Sequence, residues 1–213
     1  PAPRDHPGQL RLRSLIEDNP LFRRLSRSPL LLSLATIRTR LAEAPPNPSD
    51  VFEVLVDHLL KRDSQRGLGW GSLTDALPAI RRWLARSAWH TYEEGTLRLS
   101  VARALAELQT SVCDATSSTS ADALSLIEVR TGLIRVRGEW IEFRHSAFRA
   151  FLAAWHLSRE VVDSVDRLAS RKNDPSWRDL LLAFSALDHQ ARLAQALGDH
   201  LNDDMFCRTL LLQ

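Results

Sequence analysis

GLIRVRGEWIEFRHSAFRAFLAAWHL, residues 132–157, predicts a tight β-hairpin that runs straight into an amphipathic helix. Apolar and polar residues alternate through 134–144, which indicates a two-stranded ribbon with one buried face. The two-residue loop Gly138-Glu139 joins the strands and sets Val136 opposite Ile141 and Arg135 opposite Glu142. The expected apolar face consists of Ile134, Val136, Ile141 and Phe143, and the expected polar face of Arg135, Arg137, Trp140, Glu142 and Arg144.

The helix after the hairpin has its own start signal and one apolar stripe. Ser146 is the expected N-cap, because a serine side chain can accept a hydrogen bond from a free N–H of the first turn. His145 lies at the junction of hairpin and helix. The i, i+3, i+4, i+7 spacing predicts that one helical face is buried. That stripe consists of Phe148, Phe151, Leu152 and Trp155.

The order of residues at this junction is more specific than the hairpin–helix pattern. FRHSAFRAFLAA, residues 143–154, follows Gly-Leu-Ile and resembles the FxHxxFxEYLAA signature of NACHT-type signal-transduction NTPases. In that family the signature ends a winged-helix domain, and the proteins act as switches in innate immunity and related bacterial systems. The chain departs from the signature at Ala150-Phe151, where the family often carries Glu-Tyr.

A second block resembles the same family. The family pattern is NPLLLxLLA…LPxxRxxLYxxxVxxLLxR, and three consecutive pieces of this chain are similar to it. They are SRSPLLLSLATIRTR at residues 26–40, then Pro45-Pro46, then SDVFEVLVDHLLKR at residues 49–62. The resemblance implies that the first part ends the helical domain after the nucleotide-binding core, and that the second opens the winged-helix domain. The implied domains are a helical domain at 1–45, a winged-helix domain at 46–157 and a helical, repeat-like segment at 158–213.

Capping and turn residues predict the elements between and after these blocks. Asp50 with Glu53 indicates a capping box. A helix is predicted over 74–92 and a short extended segment over 96–99, and Ser100 is the expected cap of a helix that runs to about residue 112. Ser120 is the expected cap of a helix that Gly132 ends, at the position of a winged helix's recognition helix. Further helices are predicted near 161–169, 176–187, 190–201 and 204–212. The fold class is therefore mainly α, with one β-hairpin wing and solenoid-like helices at the end.

The chain contains no pattern that marks a catalytic centre. It has no G-x-x-x-x-G-K-[ST] phosphate-binding loop, and its two lysines, Lys61 and Lys172, lack the upstream glycines. We therefore expect it neither to bind nor to hydrolyse ATP alone. The resemblance implies that it is part of an ATPase whose P-loop domain precedes Pro1 in the same polypeptide. Because the sequence begins at Pro1 and its only methionine is Met205, we expect a fragment, a processed form or an excised domain.

The candidate site consists of His145 and Pro29. In the family, the histidine of the FxH motif contacts the β-phosphate of bound ADP and holds the closed, inactive form, and a proline matching Pro29 lies against the adenine. An imidazole N–H beside the free amides of a helix start suits an anion. The cofactor implied is ADP or ATP, with Mg²⁺ bound mainly by the upstream domain. The alternatives are that His145 only caps its helix or packs under the wing, and that Pro29 only starts a helix.

Two other functions remain open. One is a winged-helix DNA-binding module; against it, the recognition-position helix ADALSLIEVR has Asp122 and Glu128 beside a single Arg130, and the net charge is only +2. The other is a helical scaffold that binds proteins without a ligand. The resemblance implies that the partners are the upstream P-loop domain and, in the active state, further copies of the chain. The two isolated cysteines, Cys113 and Cys207, indicate reduced thiols in a cytoplasmic protein. No run is long enough for a membrane span, and the composition of the recognition-position helix argues against nucleic acid as a partner.

Overall fold

Helices account for most of the structure, and three short strands form one antiparallel sheet. The computed structural model describes residues 13–14, 17, 48–61, 71–115, 118–160 and 163–187. The mainly helical fold class is therefore confirmed. The chain divides into two compact units, Pro1–Leu55 and Val56–Gln213. The domain boundaries that the sequence predicts, at 45/46 and 157/158, stay predictions.

Helix α1 (Pro48–Lys61) begins three residues earlier than the capping-box pattern, with Asp50 as the N-cap, predicts. Proline fits this position, because its missing N–H is one of those that a helix start leaves unbonded. Asp50 consequently lies within the first turn, and the prediction that it caps the helix is wrong. In the part of α1 that belongs to the second unit, Val56, Leu59 and Leu60 are buried.

The second helix, α2 (Leu77–Glu93), follows a 3-10 turn, Gly71–Ala76, so the helix predicted over 74–92 begins slightly late. Its buried face contains Ile80, Trp83, Leu84 and Ala88, as the 3.6-residue period predicts. Strand β1 (Arg98–Ser100) follows, then α3 (Val101–Ser111), whose first turn is capped by the Ser100 hydroxyl on the N–H of Arg103 at 3.1 Å. The predicted Ser100 cap is confirmed.

Helix α4 (Ser120–Thr131) shows that neighbouring hydroxyl residues are hard to tell apart in sequence. The side chain of Thr119, and not that of Ser120, accepts from the N–H of Asp122 at 3.1 Å, so the predicted cap was one residue too late. Gly132 ends the helix as predicted, in a left-handed conformation with φ of 63°. Residues with a Cβ rarely adopt this conformation, so glycine suits the position.

The hairpin consists of β2 (Ile134–Arg137) and β3 (Trp140–Phe143), and its register agrees with the prediction. Val136 pairs with Ile141, and Arg135 pairs with Glu142. Strand β1 adds to the other side of β3, which gives the order β1–β3–β2. The backbone N–H of Val101 continues this contact by donating to the carbonyl of Glu139 at 2.8 Å. The short extended segment predicted at 96–99 is thus the third strand of the sheet.

The helix after the hairpin, α5 (Ser146–Glu160), forms the centre of the core. It packs most extensively against α2 and next against α7 (Arg178–Leu187). Every residue from Ala150 to Leu157 is buried, which is more than the single apolar stripe that the sequence predicts. The reason is that α5 packs against two neighbouring helices. Between α5 and α7 lie α6 (Ser164–Ala169) and a 3-10 turn, Pro175–Trp177. The helices predicted at 190–201 and 204–212 lie outside the described residues.

Candidate functional site

His145 occupies the N-cap position of α5. Its carbonyl accepts from the N–H of Arg149 at 3.2 Å, and its ring atom Nδ1 accepts from the N–H of Ala147 at 3.4 Å. The sequence predicts Ser146 as the cap; that prediction is wrong by one residue, because Ser146 is already the first residue of the helix. At 3.4 Å the ring contact is long for a hydrogen bond, so it stabilises the helix start only weakly.

The role of Nδ1 determines the protonation state that this geometry favours. An imidazole nitrogen that accepts a hydrogen bond carries no proton, so the neutral ring has its single proton on Nε2. Burial lowers the pKa of His145 below its ordinary value, which favours the same neutral form. A positive charge is also disfavoured there by the partial positive charge of a helix N-terminus. The geometry and the lowered pKa therefore both favour a neutral imidazole with its N–H on Nε2.

Phe148, one turn into α5, lies beside the imidazole ring. The two ring centres lie 6.4 Å apart and the ring planes cross at 82°, an edge-to-face arrangement. Phe148 itself is buried in the core. The ring of His145 thus has two neighbours on its own helix, the N–H of Ala147 and the ring of Phe148.

A surface pocket of about 240 Å³ opens beside the same helix start. Ser146 and Arg149 of α5 contribute to its wall, whereas His145 lies outside its lining. Arg149 is held over the ring of Tyr92, with its guanidinium carbon 4.4 Å from the ring centre. The other lining residues are Leu97, Arg98, Glu142 and Phe143. The start of α5 therefore lies next to a concave surface with two guanidinium groups.

Pro29, the second predicted site residue, lies outside the described residues, as do Arg23, Arg24 and Arg27 near it. The prediction that Pro29 and His145 contact one nucleotide thus stays a prediction. Ala150 and Phe151, where the chain departs from the family signature, are both buried in α5. The two residues that depart from the signature therefore belong to the core, whereas His145 lies at the start of the helix.

Glu128 has a role that sequence reasoning missed. Its Oε1 atom accepts from the backbone N–H of Val136 at 3.0 Å, which ties α4 to the hairpin. Directly after β3, Nε of Arg144 donates to the carbonyl of Ile134 at 3.1 Å. No sequence pattern marks the Glu128 contact, because it depends on the direction in which the chain turns at Gly132. The acidic side chain that argues against DNA binding therefore has a structural role, because it bonds α4 to the hairpin.

Within the described residues the structure offers neither a metal site nor a membrane-spanning helix. No group of three His, Cys, Asp or Glu side chains there is arranged to hold a metal ion. Among the helices of that part of the chain, none has both the length and the apolar character required to cross a bilayer. The side chain of Cys113 is buried, and burial raises the pKa of its thiol above the ordinary value. A thiol in this state is a poor nucleophile.

Comparison with known proteins adds no family assignment. No protein-family model, curated protein or solved structure matches the chain. The resemblance to NACHT-type proteins accordingly rests on the two sequence blocks, 26–62 and 132–157, and on the chemistry available at His145.

Proposed function

We propose that this chain is the regulatory portion of a NACHT-type NTPase switch. In this proposal it closes over ADP or ATP bound to a P-loop domain earlier in the same cytoplasmic polypeptide, and it controls oligomerisation and signalling. The observation that carries the proposal is the state of His145. A neutral imidazole at a helix start can donate its Nε2 proton to a phosphate oxygen while its Nδ1 atom faces the N–H of Ala147.

The order of elements supports a winged helix as the fold of this regulatory part. Helix α2, strand β1, helices α3 and α4, and the hairpin β2–β3 follow one another, and the three strands form one sheet. In this interpretation α4 takes the recognition-helix position and the hairpin is the wing. The helices after α5 would then begin an α-solenoid, with α6 and α7 as its first described elements.

The energetics define how much His145 can contribute. A hydrogen bond to a charged group is worth about 1.5–3 kcal/mol. Shifting a switch from almost all open to almost all closed takes about 5.5 kcal/mol of differential binding. His145 is therefore one part of the lock, and we propose that contacts between domains supply the remainder. This division predicts a partial loss of ADP retention when the imidazole is removed.

The test uses the intact natural polypeptide that contains this chain. Its sequence and mass should reveal a P-loop domain before Pro1, and the purified protein should retain ADP. His145→Ala and His145→Asn should both release ADP faster and raise basal signalling. Asparagine can still cap the helix, so an equal effect of both variants would assign the loss to the imidazole.

A matched control keeps this test specific. Arg82→Ala changes an exposed side chain on α2 and should leave ADP retention unaltered. Unchanged ADP release and unchanged basal activity in both His145 variants would sink the proposal. A natural polypeptide without a P-loop domain would do the same.

A further inference from the structure

The sheet has a solvent-facing side that the nucleotide proposal does not use. Residues paired across an antiparallel sheet point to the same side, and so do residues two apart along a strand. The register places Arg98, Glu142 and Arg135 in one row and Ser100, Trp140 and Arg137 in the next. We call these six residues the outer face. The opposite side of the same strands carries Leu99, Ile134 and Ile141, which are all buried.

Trp140 is the unusual residue of the outer face. Its exposed fraction is 44%, whereas Trp83, Trp89, Trp155 and Trp177, the other tryptophans whose burial is described, are buried in the core. Trp140 pairs with Arg137 on β2, at the end of the hairpin. A large aromatic ring is therefore available to solvent on a sheet surface, with a cationic side chain directly across from it.

The charge of the outer face is positive. Three arginines, Arg98, Arg135 and Arg137, share it with one carboxylate, Glu142. Glu142 is engaged by Arg98, with 2.8 Å between Nε and Oε1. Arg135 and Arg137 lie on the far strand and are both exposed. The acidic Glu139 lies in the hairpin turn and limits the basic surface to the strands.

We propose that the outer face binds single-stranded nucleic acid, with a base stacked on Trp140 and phosphates contacted by Arg135 and Arg137. Every base has a π-face that can stack on an aromatic ring, and arginines neutralise the backbone, so such binding tolerates many sequences. The proposal does not involve His145 and does not depend on the nucleotide switch, and Arg98 and Glu142 are the outer-face residues that also line the pocket beside the start of α5.

Double-stranded DNA fits the described surfaces less well. In a duplex the base faces are covered by their neighbours, so Trp140 has nothing to stack on unless a base is flipped out. Groove reading by α4 is disfavoured because Asp122 is exposed there and Glu128 is tied to the wing. The expectation that nucleic acid is not a partner arose from α4, and the outer face is a separate surface with the opposite charge.

The experiment measures fluorescence anisotropy of labelled oligo(dT) and oligo(U) with the full chain, across a salt series. We expect binding of both probes at low salt, with log K falling by about 0.7 per tenfold rise in salt for each phosphate contacted. Arg135→Ala and Arg137→Ala should each weaken binding and reduce that slope by about 0.7. Glu142→Gln should strengthen binding, since it removes the one carboxylate of the outer face.

Substitutions of Trp140 separate stacking from general apolar contact. Trp140→Leu should weaken binding by roughly fivefold to a hundredfold, the effect of losing one stacked aromatic. Trp140→Phe should retain most of the affinity, because phenylalanine keeps a π-face. Arg82→Ala, which removes an exposed arginine far along the sequence on α2, should change neither affinity nor slope. Circular dichroism of each variant checks that it has folded.

Three outcomes would overturn the proposal. The first is no binding of either probe at low salt by the folded chain. The second is equal binding by the wild type and by Trp140→Leu, which would mean that no base stacks there. The third is tighter binding of duplex DNA or of poly-glutamate than of the single strands, which would assign the face to a groove or to an acidic protein segment. A preference between oligo(dT) and oligo(U) would support the proposal and identify which nucleic acid is bound.

Discussion

The guanidinium carbon of Arg81 lies 4.7 Å from the centre of the Trp155 ring. Its Nη1 atom is also 2.8 Å from Oδ1 of Asp57, so one side chain of α2 contacts both α5 and α1. The Arg81 side chain is only 15% exposed, against 40% for Asp57. Arg81 thus connects helices by an ion pair and a cation–π contact in a partly shielded place.

We expect Arg81→Ala to lower the free energy of unfolding by about 1–2 kcal/mol. A cation–π contact contributes about 0.5–2 kcal/mol, and an ion pair of this exposure contributes up to about 1 kcal/mol. Urea unfolding measures the change. Arg81→Lys should lose part of this stability, because the lysine ammonium is not planar and cannot stack on the indole as the guanidinium does. The neighbouring exposed Arg82→Ala should stay within about 0.5 kcal/mol of the wild type. Equal midpoints for Arg81→Ala and Arg82→Ala would contradict the prediction.

Gly132 offers a test of backbone conformation separate from packing. A Cβ built on Gly132 would meet no atom within 4 Å, so the cost of Gly132→Ala comes from its φ of 63° alone. We expect a loss of about 1 kcal/mol, the usual penalty of a left-handed conformation for a residue with a Cβ. Gly132→Asn should lose less, because asparagine tolerates this region better. Thermal unfolding of the two variants side by side would decide, and an alanine variant as stable as the asparagine one would refute the argument.

His145 predicts a pH dependence of stability. Its pKa in the folded chain is lowered by burial, whereas in the unfolded chain it lies near its ordinary value of about 6.5. Between these two values the unfolded state binds more protons, so stability rises with pH there. The contribution of His145 is therefore fully present above about pH 6.5 and is lost as the pH falls toward the folded value.

Two measurements check this pH dependence. NMR titration of the imidazole should give a pKa for His145 below 6.5, as its burial requires. In urea unfolding at a series of pH values, the stability of wild type relative to His145→Asn should decrease below pH 6.5 and stay constant above it. A His145 pKa at or above 6.5 would show that its ring is more solvated, or closer to an acidic group, than the described structure places it.

Glu128 should stabilise the contact between the hairpin and α4. Removing its carboxylate in Glu128→Ala takes the acceptor from the N–H of Val136, at a cost of roughly 0.5–1.5 kcal/mol. Glu128→Gln keeps a carbonyl acceptor and should cost less. Amide hydrogen exchange offers a local measurement, since the N–H of Val136 should exchange faster in the alanine variant. Exchange at Val136 that is the same in all three proteins would mean that the bond does not hold the hairpin.

The sequence predicted those elements whose determinants are close together in the chain. The register of the hairpin follows from Gly138-Glu139 and the alternation on either side, and the end of α4 follows from Gly132, so both predictions are confirmed. The caps of α4 and α5 were each one residue off. Thr119 and Ser120 have nearly the same capping chemistry, and a histidine cap is harder to recognise than the serine beside it.

What could not be predicted depends on contacts between distant residues. The side chain of Glu142 was expected opposite Arg135, which the register confirms, but its short ion pair is with Arg98 on the third strand. The all-round burial of α5 requires α7 on one side and α2 on the other, and its own sequence shows only the stronger stripe. For the candidate site, the sequence identified His145. The protonation that its ring favours depends on burial and on the N–H of Ala147, which the sequence alone does not show.

The strand order β1–β3–β2 has a consequence for how the chain folds. The hairpin closes over a two-residue turn, whereas Arg98 and Glu142 are 44 residues apart. Closing the longer loop costs about 1.5–2 kcal/mol more chain entropy than bringing residues 135 and 142 together. We therefore expect the hairpin to form early in folding, and β1 to join the sheet later, once α3 and α4 have shortened the path between them. A kinetic experiment should find mutations in the hairpin slowing folding, and mutations in β1 mainly speeding unfolding.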